Sequence, residues 1–558
     1  MRRIAVLVMA AVTLLMGGGL ANAREGQVYH GGPIVTMAGD EPETVEAVAV
    51  RGGTIVAIGS RAEVERKAGR RPQRIDLKGR TLLPGFIDAH GHVSMVGRYA
   101  MMADLSGPPV GKVTTIAALQ DALRAHVLAH PEGVISGRGY DDAVLKGGRH
   151  PTRHDLDAVS AERPIAIMHV SGHLISANSA MLELAGIGPA SSDPEGGKIR
   201  READGRTPDG VLEEGAMMAV MAHLMPSDME TNVRTINAGL ADYIRNGITT
   251  AQDSGVMQAQ MPAFEEAAKR GLPIDLAILT VGTGPLPEAI AARVGKGYRN
   301  RLRIAGLKFI LDGSPQGRTA WLSHPYHRVP EGKPDDYHGY PGLGVAAFDA
   351  ALTEVARHRW RVFAHVNGDA ALDHLIAGIE QHGLAGNRTI AIHSQVVRSE
   401  QLDTMRELDI QPSFFANHTY FWGDWHREVV LGPERGDFIS PQASAWRAGL
   451  VPTAHNDAPV VPPDMMRLVW SSVTRRTQSG DILGPSERIS PYRALQQVTI
   501  NAAWQLEEEA SKGSIEPGKR ADFVVLDTNP LDHDPERLFE IGVVATIKDG
   551  APIYGSLD

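Results

Sequence analysis

The chain has no cysteine among its 558 residues. That absence excludes disulfide scaffolds, thiolate zinc sites, iron–sulfur clusters and thiol nucleophiles. A basic surplus is missing too: 56 Lys and Arg stand against 66 Asp and Glu, a net charge of −10, which leaves no electrostatic footprint for nucleic acid. There are no internal repeats or low-complexity tracts. With 43% hydrophobic and 22% charged residues, collagen-like, coiled-coil and disordered chains are ruled out. What the chain does hold in quantity is histidine, 22 residues, ample for metal binding or proton transfer.

The only long apolar run is at the start. Arg2 and Arg3 precede residues 4–16, and a glycine turn leads to Ala21-Asn22-Ala23. A positive n-region, a short apolar h-region and an A-x-A site describe a secretory signal peptide, residues 1–23, cleaved after Ala23. The competing reading is an uncleaved anchor, but the run is short for a span and no second stretch of ~20 apolar residues follows. Cleavage would leave a periplasmic or secreted protein free of the membrane.

Residues 28–59 alternate apolar and polar positions around Gly52-Gly53, a hairpin signal. Residues 514–548 mirror that pattern, so the two ends (24–80 and 505–558) are expected to pair as one small β domain, with separate terminal domains as the alternative. Between them, over 81–504, β-rich runs alternate with helical patterns, which predicts an α/β fold with a parallel sheet. Eight candidate strands begin near Gly85, Ile248, Ile274, Gly306, Val362, Thr389, Ile410 and Val451, and eight such units fit a TIM (β/α)8 barrel. Roughly 150 residues separate the first two strands, too many for a loop without structure of its own. A large insertion after strand one, about 95–245, is expected there, with a helix over Thr115–Ala129 and a strand at Ile165–Val170.

Barrel chemistry sits at the C-terminal ends of the strands. Strand one ends in His90-Gly91-His92, strand five in His365, strand six in His393 and strand eight in Asp457; strand four carries Lys308, followed by Asp312. His90 and His92 share a face of an extended chain and can bind one divalent cation. About one such pair arises by chance in this composition, so the weight lies in its position after Leu82-Leu-Pro-Gly-Phe-Ile-Asp-Ala. His365 and His393 could each be a core histidine; together, at equivalent strand ends, they read as ligands. Asp457 is either a ligand or a helix cap, and His455 lies behind it. Lys308 either snorkels to the rim or is carboxylated by CO₂ into an anionic metal bridge.

The run LLPGFIDAHGH (82–92) resembles the first-strand signature of the amidohydrolase superfamily. SGHLISANSAML (171–182), LKFILDGSPQGRTAWL (307–322), AHVNGDAALD (364–373), IAIHSQVV (390–397), HNDAPV (455–460) and ALQQVTINAAWQLEEEASKGSIEPGKRADFVVLD (494–527) are similar to its family-3 branch, which includes N-substituted formamide deformylase-like proteins. The resemblance implies a TIM barrel, a β-sandwich made from both termini and a mono- or binuclear metal site. It assigns His90, His92, Lys308, His365, His393 and Asp457 as ligands. Two departures stand beside ligands: Ile392 where an acidic residue is expected, and His455-Asn456 in place of Gly-Ser.

The expected activity is hydrolysis of a non-peptide carbon–nitrogen bond in a small molecule by metal-activated water, with Asp457 as base and His393 as second ligand or oxyanion donor. Zinc suits the donors, one or two ions per chain, with N6-carboxylated Lys308 as the bridge of a pair. His173 and Arg318 are candidate substrate contacts; the alternative for each is an ordinary loop role. Ester or lactone hydrolysis, or an exported metal-binding regulatory protein without turnover, are the competing functions. The sequence leaves a monomer and a homo-oligomer equally open.

Overall fold

The computed structural model describes residues 26–557 apart from 109, 143, 171–173, 195–196, 225–227, 331–332 and the side chain of residue 214. The signal-peptide segment and His173 therefore lie outside the described residues. The chain divides into two compact units, one running to Val93 and resuming at Leu240, the other comprising Ser94–Gly239. Among the described residues, no helix is long and apolar enough to cross a membrane.

The first unit is a TIM-barrel-like α/β fold. Its parallel strands follow one another in chain order: Phe86–Ile87, Ile248–Val256, Asp275–Val281, Leu302–Ile310, Val362–Val366, Thr389–His393, Ile410–Phe414 and Thr453–Ala454. Both faces are covered, so most strand positions are buried; eight of the nine residues of Leu302–Ile310, for example, are buried. Between strands the period changes from two to 3.6, as in the helix Val345–His358, which buries Phe348, Leu352 and Val355. Gln505 spans the seam between the last and first strands. It accepts from Thr453 Oγ1 at 2.6 Å and donates to the Ala89 carbonyl at 2.6 Å, while His92 N donates to the Ala458 carbonyl at 2.8 Å. The short helix Ile500–Gln505 supplies Ala502 and Ala503 to a core shared with Ile87, Leu279, Phe363, Ile390 and Ile392.

The two chain ends meet in a second sheet. Thr81–Pro84 pairs antiparallel with Phe523–Leu526, which joins Gln27–Val35, Thr44–Arg51 and Thr54–Gly59 on one side to Val543–Lys548 and Ala551–Gly555 on the other. A buried ionic network fastens this sheet to the strands of the parallel sheet. Lys548 Nζ lies 2.7 Å from both Asp275 and Asp522, Lys512 Nζ lies 2.7 Å from Asp275, and Arg303 pairs with Glu508 at 2.8 Å. Glu508, Lys512 and Asp522 all fall within the C-terminal motif, whose polar residues thus serve attachment.

The second unit carries a six-stranded mixed sheet. Ala103–Asp104, Ile135–Tyr140 and Ile165–His169 run parallel, and Leu174–Ala177, Pro208–Glu214 and Gly197–Arg201 continue it antiparallel. Helix Ile116–Ala129 starts where Thr115 Oγ1 accepts from Ala118 N, and it buries Leu119 and Leu123 against Ile135, Ile165 and Ile167.

Candidate metal centre

His90 and His92 leave strand one with Gly91 between them. A Cβ at Gly91 would stand 2.2 Å from Tyr243 Oη and 2.6 Å from Asp88 Oδ2, so only glycine lets the chain carry both rings at this depth. Strand two holds the rings. Ser254 Oγ lies 2.8 Å and Gln252 Oε1 3.2 Å from His90 Nδ1, and the Ser254 carbonyl accepts from His92 Nδ1 at 2.9 Å. The remaining nitrogens, His90 Nε2 and His92 Nε2, face Asp457 Oδ1 at 3.4 and 3.2 Å.

On strand five, Phe363 packs into the core and His365, two residues on, shares its face. His365 Nε2 lies 3.1 Å from the Gly313 carbonyl and 2.9 Å from Asn367 Nδ2, and Nδ1 faces His393 Nε2 at 3.1 Å. Strand six ends at His393 with φ +73, followed by Ser394 at +42, and Asp457 has φ +53. Left-handed backbone is uncommon outside glycine, and both residues adopt it where alternation must break for the side chain to turn into the site. His393 Nδ1 contacts His455 Nε2 at 3.1 Å, and His455 Nδ1 contacts Ser413 Oγ at 3.0 Å. His455 is thus a direct neighbour of His393. Ile392 is fully buried in the core beneath, where an acidic side chain would have no partner.

The Nδ1–H of His92 is spent on the Ser254 carbonyl and that of His90 on Ser254 and Gln252, which turns both Nε2 atoms inward. The donor set fits a divalent metal: His90, His393 and Asp457 each offer an atom within 4.8 Å of the others'. Burial holds His90 down at about 3 and His365 at about 4, so both rings are neutral at pH 7, as ligation requires. Burial alone would raise Asp457; positive charge facing it at His90 and His92, or from a cation held there, would keep the carboxyl well below its usual range.

Lys308 does not snorkel. It is buried, with Nζ 3.2 Å from His90 Nε2, and burial lowers its pKa to about 7. Asp312 is equally buried; its carboxylate accepts from Asn367, Gly368 and Trp321 backbone N–H at 2.9, 2.7 and 3.1 Å, which pins the loop after strand four to the end of strand five. The six residues expected at the strand ends therefore meet in one cluster. Arg318 has a different environment. Its guanidinium donates to the Arg328 carbonyl at 3.0 Å and lies over the Trp425 ring, the loop role that the sequence left as the alternative. Gln252 and Ser254 escape a reading confined to histidines and carboxylates at strand ends. Their signal is polar residues two apart, on one face of strand two.

The chain matches the model of the amidohydrolase family over residues 73–554. It is 29% identical to the putative amidohydrolase YtcJ of Bacillus subtilis, with 94% of this chain and 99% of that protein aligned. It is 27% identical to the N-substituted formamide deformylase of Arthrobacter pascens, covering 91% of this chain and 95% of that protein. The crystal structure of an uncharacterized metal-dependent hydrolase from Pyrococcus horikoshii superposes with a TM-score of 0.75 at 23% identity, over 92% of this chain and 99% of that one. A family match across most of the chain, on a fold that gathers histidines at the strand ends, establishes that this chain belongs to the amidohydrolase family of metal-dependent hydrolases.

Proposed function

We propose that this hydrolase cleaves a non-peptide carbon–nitrogen bond of a small molecule: an amide, an N-substituted formamide or a cyclic amide. The observation that carries the reading is the gathering of His90, His92, His365 and His393 with Asp457 at the strand ends. The relative named N-substituted formamide deformylase supports the bond type. A divalent cation held by these residues, zinc by the softness of imidazole donors, supplies a Lewis acid that acidifies water and polarises a carbonyl.

The chain's own groups do the rest. Asp457, an anion kept low in pKa, takes a proton from the attacking water and returns it to the leaving nitrogen. His393, braced by His455, serves as ligand or as the group that meets the developing oxyanion. Lys308, pushed to about 7, is substantially unprotonated near neutral pH. Its free amine can add CO₂, forming an N–C bond and releasing one proton, and the N6-carbamate would be an anionic ligand for a second ion. With it the site would hold two metals, and without it one. His173 is retained as a substrate contact.

We also read the terminal sheet as a small β-sandwich that folds over within Gln27–Val35, a reading supported by the register break between His30 and Ile34. Export to the periplasm or beyond rests on the 1–23 leader and is tested by N-terminal sequencing of the mature protein.

The deciding experiment strips the purified protein of metal, reconstitutes it with zinc, and assays formamides, amides, cyclic amides, esters and lactones. Zinc-dependent amine or ring-opened acid from the nitrogen substrates supports the reading. Turnover of esters or lactones alone moves the activity to carbon–oxygen bonds. Metal binding without turnover of any substrate favours an exported binding protein.

A further inference from the structure

The inserted unit carries a second group of metal-ligating side chains that the proposed reaction does not use. The parallel strands Ile135–Tyr140 and Ile165–His169 end side by side, with Tyr140 opposite His169. Gly139, at φ +81, sits where the register slips, and Asp141 and Asp142 leave the strand beside the His169 ring. The loop that follows turns through Gly147 and Gly148, both at positive φ, and returns with His150. One carboxylate and two imidazoles, from the loop after one strand and the end of its neighbour, thereby converge.

The distances are those of a ligand set. His169 Nε2 lies 2.9 Å from Asp142 Oδ1, and His150 Nε2 lies 3.6 Å from Asp142 Oδ2. Asp142, His150 and His169 each offer an atom within 4.8 Å of the other two. Asp141 Oδ1 stands 4.0 Å from His169 Nε2, within reach as a fourth donor. The support behind one ring is built from buried residues. Tyr140 Oη lies 3.0 Å from Ser176 Oγ and 3.2 Å from His150 Nδ1. Held through Nδ1 by Tyr140, the His150 ring turns Nε2 toward Asp142. An outer partner that fixes tautomer and ring direction is the usual companion of a metal-binding histidine.

We propose that Asp142, His150 and His169 bind a second, independent divalent ion in the inserted unit. Two imidazoles and a carboxylate select a borderline first-row ion, zinc before cobalt or nickel, and disfavour calcium or magnesium, which want oxygen donors. The ion would clip the 141–150 loop to the end of the neighbouring strand, and Asp141 with water would complete its shell.

The test counts zinc per chain in the full-length mature protein by plasma mass spectrometry after reconstitution at micromolar zinc and gel filtration. Three proteins are compared: wild type, His150→Gln/His169→Asn, and His90→Asn/His92→Asn. The proposal expects the first double variant to hold one ion fewer than wild type, and the second to keep that ion while losing metal at the strand-end cluster. Asp142→Asn preserves side-chain size and keeps the test open if the double variant does not fold; its zinc affinity at this site, by chelator competition, should fall at least 10-fold. Equal zinc content in wild type and His150→Gln/His169→Asn, or an extra ion that binds only at millimolar zinc, overturns the proposal. Neither outcome depends on any substrate being found.

Discussion

Asp457→Asn separates the two demands placed on one side chain. Asparagine keeps the volume and an oxygen facing His90 and His92, now at 3.4 and 3.2 Å from the carboxylate, but it gives up the charge and the ability to accept a proton. Four inward imidazole nitrogens remain, so zinc content at excess metal is expected to stay at the wild-type level. The lost term is proton transfer, worth ~10²–10⁴ in rate, or about 2.7–5.4 kcal/mol of barrier. With the nitrogen substrate that turns over fastest, kcat/KM should fall at least ~100-fold while mass spectrometry finds unchanged metal. A fully metallated variant within ~10-fold of wild type would refute Asp457 as the base. Loss of metal together with activity would show instead that its charge is needed for binding.

Three further outcomes follow from the packing around the site. Lys548→Met strands Asp522 in the buried network between the terminal sheet and the parallel strands, and should cost about 3–5 kcal/mol in urea unfolding; a change under ~1 kcal/mol would mean the network is not buried as described. In that network burial would raise Asp275, yet Lys512 and Lys548 outweigh it and hold its folded pKa below the usual 3.8. A depressed carboxyl gives stability that is present above its unfolded pKa and lost as pH falls below it. The stability gap between wild type and Asp275→Asn should therefore narrow between about pH 5 and pH 2.5, and a constant gap would contradict the pairing. Gly91→Ala drives a methyl group toward Tyr243 and Asp88, so it should destabilise by roughly 1–3 kcal/mol and loosen zinc at His90 and His92; wild-type zinc affinity would show that the turn can yield.

Much of the architecture was legible because short β-rich runs alternate with helical patterns along 81–504, and the eight parallel strands fall on those runs. The helix over 116–129 and the strand over 165–169 in the insertion were legible for the same reason: period and capping are local. The strand-end rule then picked out His90, His92, His365, His393, Lys308 and Asp457 without any distance being known. The family resemblance marked a departure at Ile392, but only packing explains it, because that position faces a core closed by Ala502 and Ala503.

Other features depend on which segments meet. His455 looked like a residue behind the site and stands against His393, since the left-handed turns at 393 and 457 rotate both strand ends inward. Gln252 and Ser254 hold two rings from a strand more than 150 residues away in sequence. Whether Arg318 meets substrate or its own loop could not be read from its motif; the carbonyl it binds is ten residues further along the chain. Residue types and their period set the fold and the candidate ligands. The tertiary structure set the contacts between the rings and the pairing of charges, because both depend on groups that the sequence keeps far apart.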